Sequence, residues 1–174
     1  ISSADVGTGK TVNTSGLTID NSSGVGTNYT LSSATVNVTE RVIGLSGVRA
    51  FDGTNNASSA DLSISNLVSG ENLTLSGSGT LPNATVEMNK AITLGSLSIS
   101  DGSGGKSSNY TLTGGSHTLD ISQLSVNVTG SRQYDGTKTV NSSDLNLTNL
   151  VSGETVSLTG AGTVADENVG ANKT

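Results

Sequence analysis

Apolar and polar residues alternate with a period of two along most of this chain. Val36 and Val38, Leu62 and Ile64, Leu73 and Leu75, and Leu97 and Ile99 each flank a single polar residue. Leu119 and Ile121, Val126 and Val128, Leu145 and Leu147, and Val156 and Leu158 do the same. Side chains on a strand point alternately to opposite faces, so this pattern predicts antiparallel strands buried on one side. The runs are short and stop at Asn21-Ser-Ser-Gly24, Asp52-Gly53, Ser69-Gly70, Asp101-Gly-Ser-Gly-Gly105 and Asp135-Gly136. There Asp and Asn supply turn hydrogen bonds and Gly supplies positive φ. No stretch carries a helical period. The expected fold is all-β, built as β-sandwiches of short strands.

The pattern also repeats at long range. Arg49-Ala-Phe51-Asp52-Gly53-Thr54 returns as Arg132-Gln-Tyr134-Asp135-Gly136-Thr137, and Asn66-Leu-Val-Ser-Gly-Glu71 returns as Asn149-Leu-Val-Ser-Gly-Glu154. Asn28-Tyr29-Thr-Leu31 returns as Asn109-Tyr110-Thr-Leu112. Val6-Gly-Thr-Gly-Lys10 has later copies in Val86-Glu-Met-Asn-Lys90 and Val169-Gly-Ala-Asn-Lys173. The period is roughly 80 residues, the size of a small domain and not of a solenoid coil. A continuous β-solenoid, with four coils of about 20 residues per period, is the second arrangement considered, and no such short repeat is visible. Polar stretches near Glu40 and Gln123 offer one set of seams. They leave one complete unit over 40–122, the C-terminal part of a unit over 1–39 and the N-terminal part of another over 123–174. The other phase places a seam near Asn83 and yields two nearly complete units.

Composition narrows the class. Of 174 residues only 32% are apolar and 2% aromatic, so the core must be thin layers of Val, Leu, Ile and Ala. With 13% charged residues and one proline, Pro82, the chain does not have the make-up of a disordered segment. A net charge of −6 without a basic stripe argues against nucleic acid. No apolar run approaches membrane-spanning length. The absence of Cys removes disulfides, thiolate chemistry and Cys-ligated zinc. A first residue of Ile1 is expected of a window from a longer protein.

Tyr134-Asp135-Gly136-Thr137 followed by Val151-Ser-Gly-Glu154 resembles the YDG-type repeat of bacterial surface proteins. Val6-Gly-Thr-Gly-Lys10 and Asn28-Tyr-Thr-Leu31 are similar to that family's later segments, in the same order. The resemblance extends over essentially the whole chain. It implies tandem Ig-like repeats in a filamentous-haemagglutinin-like adhesin, secreted to the bacterial surface, with units that start before the YDG triplet and end after the Asn-Tyr-Thr strand, which favours the seams near Glu40 and Gln123. Phe51 stands where the pattern has Tyr, and Val86–Lys90 lacks the glycines of the first copy.

Candidate chemistry is sparse. Asp52 and Asp135 could bind metal or sugar, but an Asp before Gly is usually a turn residue. Val6–Thr11 lacks the glycine spacing of a phosphate loop. Matched Lys10, Lys90 and Lys173 could form amide cross-links to Asn or Asp if desolvated, or could be solvated edge lysines. The Asp101–Gly105 loop brings one carboxylate for calcium. His117 is the single histidine and has no nucleophile or metal partner in any spacing. Asn13, Asn21, Asn28, Asn37, Asn56, Asn72, Asn83, Asn109, Asn127, Asn141, Asn146 and Asn172 each begin an Asn-X-Ser/Thr triplet. They are candidate glycosylation acceptors, or simply the alternation of Asn- and Thr-rich strands. The recurring Phe51, Asp52, Gly53, Tyr134, Asp135, Gly136, Tyr29 and Tyr110 are expected to be structural, with all four rings buried in equivalent places. No catalytic site, metal or cofactor is expected. The function expected is a stalk that projects a distal binding region, with carbohydrate or partner binding as the alternative. Expected partners are neighbouring repeats of the same array, with host or matrix glycans engaged by another region of the protein.

Overall fold

The computed structural model describes residue 1 and residues 3–173, and the described chain is all-β. Its strands are short, as the spacing of turn residues requires. The first segment holds β1 (Gly7–Val12) and β2 (Ala34–Val38). The middle holds β3 (Arg41–Val42), β4 (Gly44–Ala50), β5 (Asn56–Ser58), β6 (Leu62–Ser65), β7 (Leu73–Ser76) and β8 (Ser78–Thr80). It continues with β9 (Glu87–Ala91), β10 (Ser98–Asp101), β11 (Tyr110–Thr111) and β12 (His117–Ser122). The last segment holds β13 (Asn127–Gly130), β14 (Thr139–Asn141), β15 (Leu145–Thr148) and β16 (Ala161–Thr163). Helical structure is limited to single 3₁₀ turns at Gly26–Asn28, Ser59–Asp61, Ser107–Asn109 and Ser142–Asp144. No helix among the described residues is long and apolar enough to cross a membrane.

A four-stranded sheet in the order β6-β4-β12-β9 centres the middle segment. β6 and β9 run antiparallel to their neighbours, but β12 lies parallel to β4, from His117 opposite Leu45 to Ser122 opposite Ala50. β11 continues this parallel pairing on β3. The expectation of antiparallel strands throughout is therefore corrected at the centre. Period-two alternation shows which face is buried and is silent about direction, and a parallel pair needs only a long connection between its strands. The ladders β5–β8 and β7–β10 supply further side chains to the same core. That core comprises Ile43, Leu45, Ala57, Leu73, Leu81, Ile92, Leu97, Tyr110, Leu112, Leu119 and Ile121. All of it lies between residues 43 and 121.

The flanking segments carry matching residues in a different state. Leu17, which matches Leu97, is exposed, as is Leu31, which matches Leu112. Val126 and Val128 match Ile43 and Leu45 and are exposed too. Val156 and Leu158, predicted to lie on a strand, lie outside every assigned strand. Their counterparts, Leu73 and Leu75, are a strand through pairing with β10. Nothing in the described chain after Leu158 corresponds to β10.

Leu119 sits fully buried on β12. Leu119→Ala is expected to cost about 2–5 kcal/mol in urea unfolding, whereas Val128→Ala, at the position matching buried Leu45, should cost less than about 1 kcal/mol. Equal losses at the two positions would contradict the difference in burial.

Candidate functional site

The most regular polar construction is the turn that follows β4 and recurs after β13. Asp52 Oδ1 accepts hydrogen bonds from Thr54 N at 2.8 Å and Thr54 Oγ1 at 2.9 Å, while Gly53 takes φ +77°. The Arg49 guanidinium pairs with the same carboxylate and donates from Nη2 to Thr54 O at 2.7 Å and Asn56 O at 3.2 Å. The second copy repeats this. Asp135 Oδ1 accepts from Thr137 N and Thr137 Oγ1, each at 2.9 Å, Arg132 pairs with it, and Gly136 takes φ +73°. Burial works against the charge on Asp52, but the Thr54 N–H and Arg49 outweigh it and hold its carboxyl below the usual range. For Asp135 the Thr137 N–H and then Arg132 bring the pKa down to about 2. Both carboxylates are thus engaged with their own turn.

A second recurring construction was only half visible in the sequence. Lys90 is 4% exposed. Its ammonium donates to Asn83 Oδ1, to Thr85 O at 2.7 Å and to Thr85 Oγ1 at 3.1 Å, with Glu87 at 3.4 Å. The solvated edge lysine expected here is corrected, because this side chain folds back over its own loop. Lys173 reaches Asp166 in the same way, and Lys10 reaches Ser3 Oγ at 2.8 Å. The missed signal is an oxygen-bearing residue seven positions before each lysine: Ser3, Asn83 and Asp166. One position before each lysine the backbone is left-handed, with φ +59° at Gly9, +55° at Asn89 and +52° at Asn172. Asn tolerates this region far better than most residues, so losing the glycines leaves the backbone role of the loop intact.

The four rings do not share one environment. Tyr110 is 4% exposed, and its hydroxyl hydrogen-bonds Glu71 and accepts from Val68 N at 3.2 Å. Burial first, and then the Glu71 hydrogen bond, push its pKa up. Tyr29 is 65% exposed and Tyr134 64%, which corrects the expectation that both are buried. Tyr110 is covered by the Val68–Glu71 loop, and no Val-Ser-Gly-Glu segment precedes Tyr29 in the chain. Phe51 is half-buried at the edge of the core, beside an open cleft shared with Gln123–Val126, Val151 and Val156.

The remaining candidates are dispersed. Asp101 Oδ1 accepts from Ser107 N and Oγ, both at 2.7 Å, which closes the loop considered for calcium. Among the described residues no group of three His, Cys, Asp or Glu is placed to hold a metal. His117 Nε2 contacts Leu112 O at 2.8 Å. Val6–Thr11 does not form a strand-to-helix turn, since Gly7–Val12 is strand. Of the Asn-X-Ser/Thr triplets, Asn109 Nδ2 is committed to Asp5 at 2.9 Å. Asn13, Asn21, Asn37, Asn83 and Asn141 use their side chains to order local backbone or the Lys90 ammonium. Asn28, Asn56, Asn72, Asn127, Asn146 and Asn172 are exposed. Thr174, the third residue of the Asn172 triplet, lies outside the described residues.

A family model described as the YDG domain matches residues 39–119 and, a second time, residues 120–174. No curated protein and no solved structure matches the chain.

Two measurements check these constructions. The Asp135 carboxyl, followed by NMR, should titrate near 2 where an ordinary Asp titrates near 3.8, and Arg132→Ala should raise it. Because this folded-state value is depressed, the turn's stabilisation is present above about pH 4 and fades as pH falls through about 2. Lys90→Met strips three oxygens of their donor and should cost about 1–3 kcal/mol in thermal or urea unfolding. The loss should be smaller for Lys10→Met, whose ammonium contacts lie at the surface.

Proposed function

The chain belongs to the YDG domain family, and from that premise we propose that it is a run of stalk repeats in a bacterial extracellular adhesin or surface filament. Each repeat is an Ig-like β-sandwich, with unit boundaries close to Glu40 and Gln123, and the array holds a distal binding region away from the cell. One observation carries this reading. The side chains that recur from unit to unit hold their own backbone: Arg-Asp-Thr in the turns, Lys with Asn, Asp or Ser in the loops. A recurrence of that kind supports a module selected for its form. Neighbouring repeats are the partners of such a module, its place is the cell surface, and it performs no catalysis. Exposed triplets such as Asn56 and Asn146 are the acceptors best placed for glycan attachment.

A second reading, a carbohydrate- or partner-binding module, is favoured by the exposure of Tyr29 and Tyr134. It is the weaker reading, because the same ring is buried at Tyr110 and half-buried at Phe51. A glycan array probed with the 174-residue chain separates the two. The stalk reading expects no glycan retained above background. Binding that is lost in Tyr134→Ala or Tyr29→Ala would replace it with the carbohydrate reading.

A further inference from the structure

Each unit has two distinguishable ends, because β4 and β12 run in the same direction. At the upstream end, where β3 and β11 pair, stand the Val68–Glu71 loop, Tyr110 and the Ser107–Asn109 turn. At the downstream end, just past Ala50 and Ser122, stands the Phe51-Asp52-Gly53 turn. The chain displays two different contacts of the joint that these ends make. In one, Asp5 and Val6 meet the 106–109 loop. Asp5 pairs with Lys106 at 2.7 Å and accepts from Asn109 Nδ2 at 2.9 Å, and Val6 N donates to Asn109 Oδ1 at 2.8 Å. In the other, Val151 enters the turn at Gly53. A Cβ placed on Gly53 would stand 2.6 Å from Val151 Cγ1, so no side chain fits where Val151 arrives. Phe51, Val86, Leu124 and Val126 line the cleft around it.

Both contacts belong to the same joint, seen twice. Val6 and Val86 occupy matching positions of successive units, and so do Val68 and Val151. In both places the downstream end of one unit meets the upstream end of the next. We infer that the aromatic-Asp-Gly turn is an inter-repeat socket, which seats the Val-Ser-Gly-Glu loop of the following repeat and makes consecutive units move as one rigid piece. The socket at Gly53 is filled by Val151. Around Gly136, for which the 174 residues hold no Val-Ser-Gly-Glu segment of a following repeat, a Cβ would approach only the Tyr134 hydroxyl, at 3.9 Å. Val68, which no aromatic-Asp-Gly turn of these 174 residues meets, is 46% exposed. The turn needs Gly twice over, for φ +77° and for the space that Val151 takes. The ring beside it widens the apolar wall of the socket, which Phe and Tyr do equally well. In the Val68–Glu71 loop the Tyr110 hydroxyl ties Glu71 and the Val68 N–H together. This joint is a property of the repeat and stands whatever the array carries at its tip.

The test is NMR relaxation on the isotope-labelled 174-residue chain, with Val151→Asp and Val68→Asp as variants. In the parent, amides of β4 and β12 should share one rotational correlation time with those of β13 and β15. A nuclear Overhauser contact should link Gly53 Hα to the Val151 methyls. Val151→Asp places a carboxylate in the socket, so the shared time should split into two. Val68→Asp makes the same change where no turn is seated, and the shared time should survive. Two times in the parent, one time in Val151→Asp, or splitting in Val68→Asp would each overturn the inference. Should Val151→Asp unfold residues 127–163, the parent's Gly53–Val151 contact decides alone: its presence supports the socket and its absence refutes it.

Discussion

The parallel ladder between β4 and β12 joins the two ends of a unit, and the middle of the chain is arranged around it. Leu45 on one strand and Leu119 and Ile121 on the other are among the most deeply buried side chains of the core. β6 and β9 add to the outer edges of this pair, and the shorter ladders bring Ala57 and Leu73 to the same cluster. The two strands are separated in sequence by nearly the whole repeat. Such a core forms only when both are present, since neither has a local partner that could replace the other. The flanking segments show the result. Val128 repeats Leu45 and Leu31 repeats Leu112, yet both are open to water.

This dependence explains how much of the fold was legible in the sequence. Alternation and turn residues are local signals, and they located the all-β class, the breaks at Asp52-Gly53 and Asp135-Gly136, and most strands. Burial is a non-local property. Tyr29 and Tyr110 carry the same neighbours in sequence and differ in the loop that covers them. Val156 and Leu158 alternate as Leu73 and Leu75 do, but a strand is defined by its partner and not by its pattern. Strand direction was equally out of reach, because a parallel and an antiparallel pair bury the same face of β12. The candidate site was partly legible. Recurrence singled out Asp52, Asp135 and the lysines, whereas the oxygens that meet each ammonium share no residue type. Only their spacing recurs.

The polar composition acquires a physical meaning in these loops. A chain with 2% aromatic residues builds a thin core and must fix its many turns by other means. Asn, Asp, Ser and Thr do so by hydrogen bonding to backbone close in sequence, as at Thr54, Thr85, Ser107 and Thr137. Asn141 and Asp144 form a reciprocal cap on the last 3₁₀ turn. Left-handed positions at Asn66 and Asn149 let the same side chains bridge to Val42 O and Ser125 O. The density of Asn-X-Ser/Thr triplets follows to some extent from this local use of Asn.

The direction of β12 along β4 also fixes how a unit responds to tension. The chain arrives at β4 at one end of the ladder and leaves β12 at the other, with Ser122 beside Ala50. A force drawing the two ends of the chain apart therefore slides the strands along each other in opposite directions. The hydrogen bonds between them are loaded together and must yield together. In an antiparallel hairpin pulled from its open end, by contrast, the bonds break singly, in sequence. A repeat wired in this way is strong along the axis that joins its two ends. It owes that strength to its first and last strands being neighbours, not to any enlargement of its core.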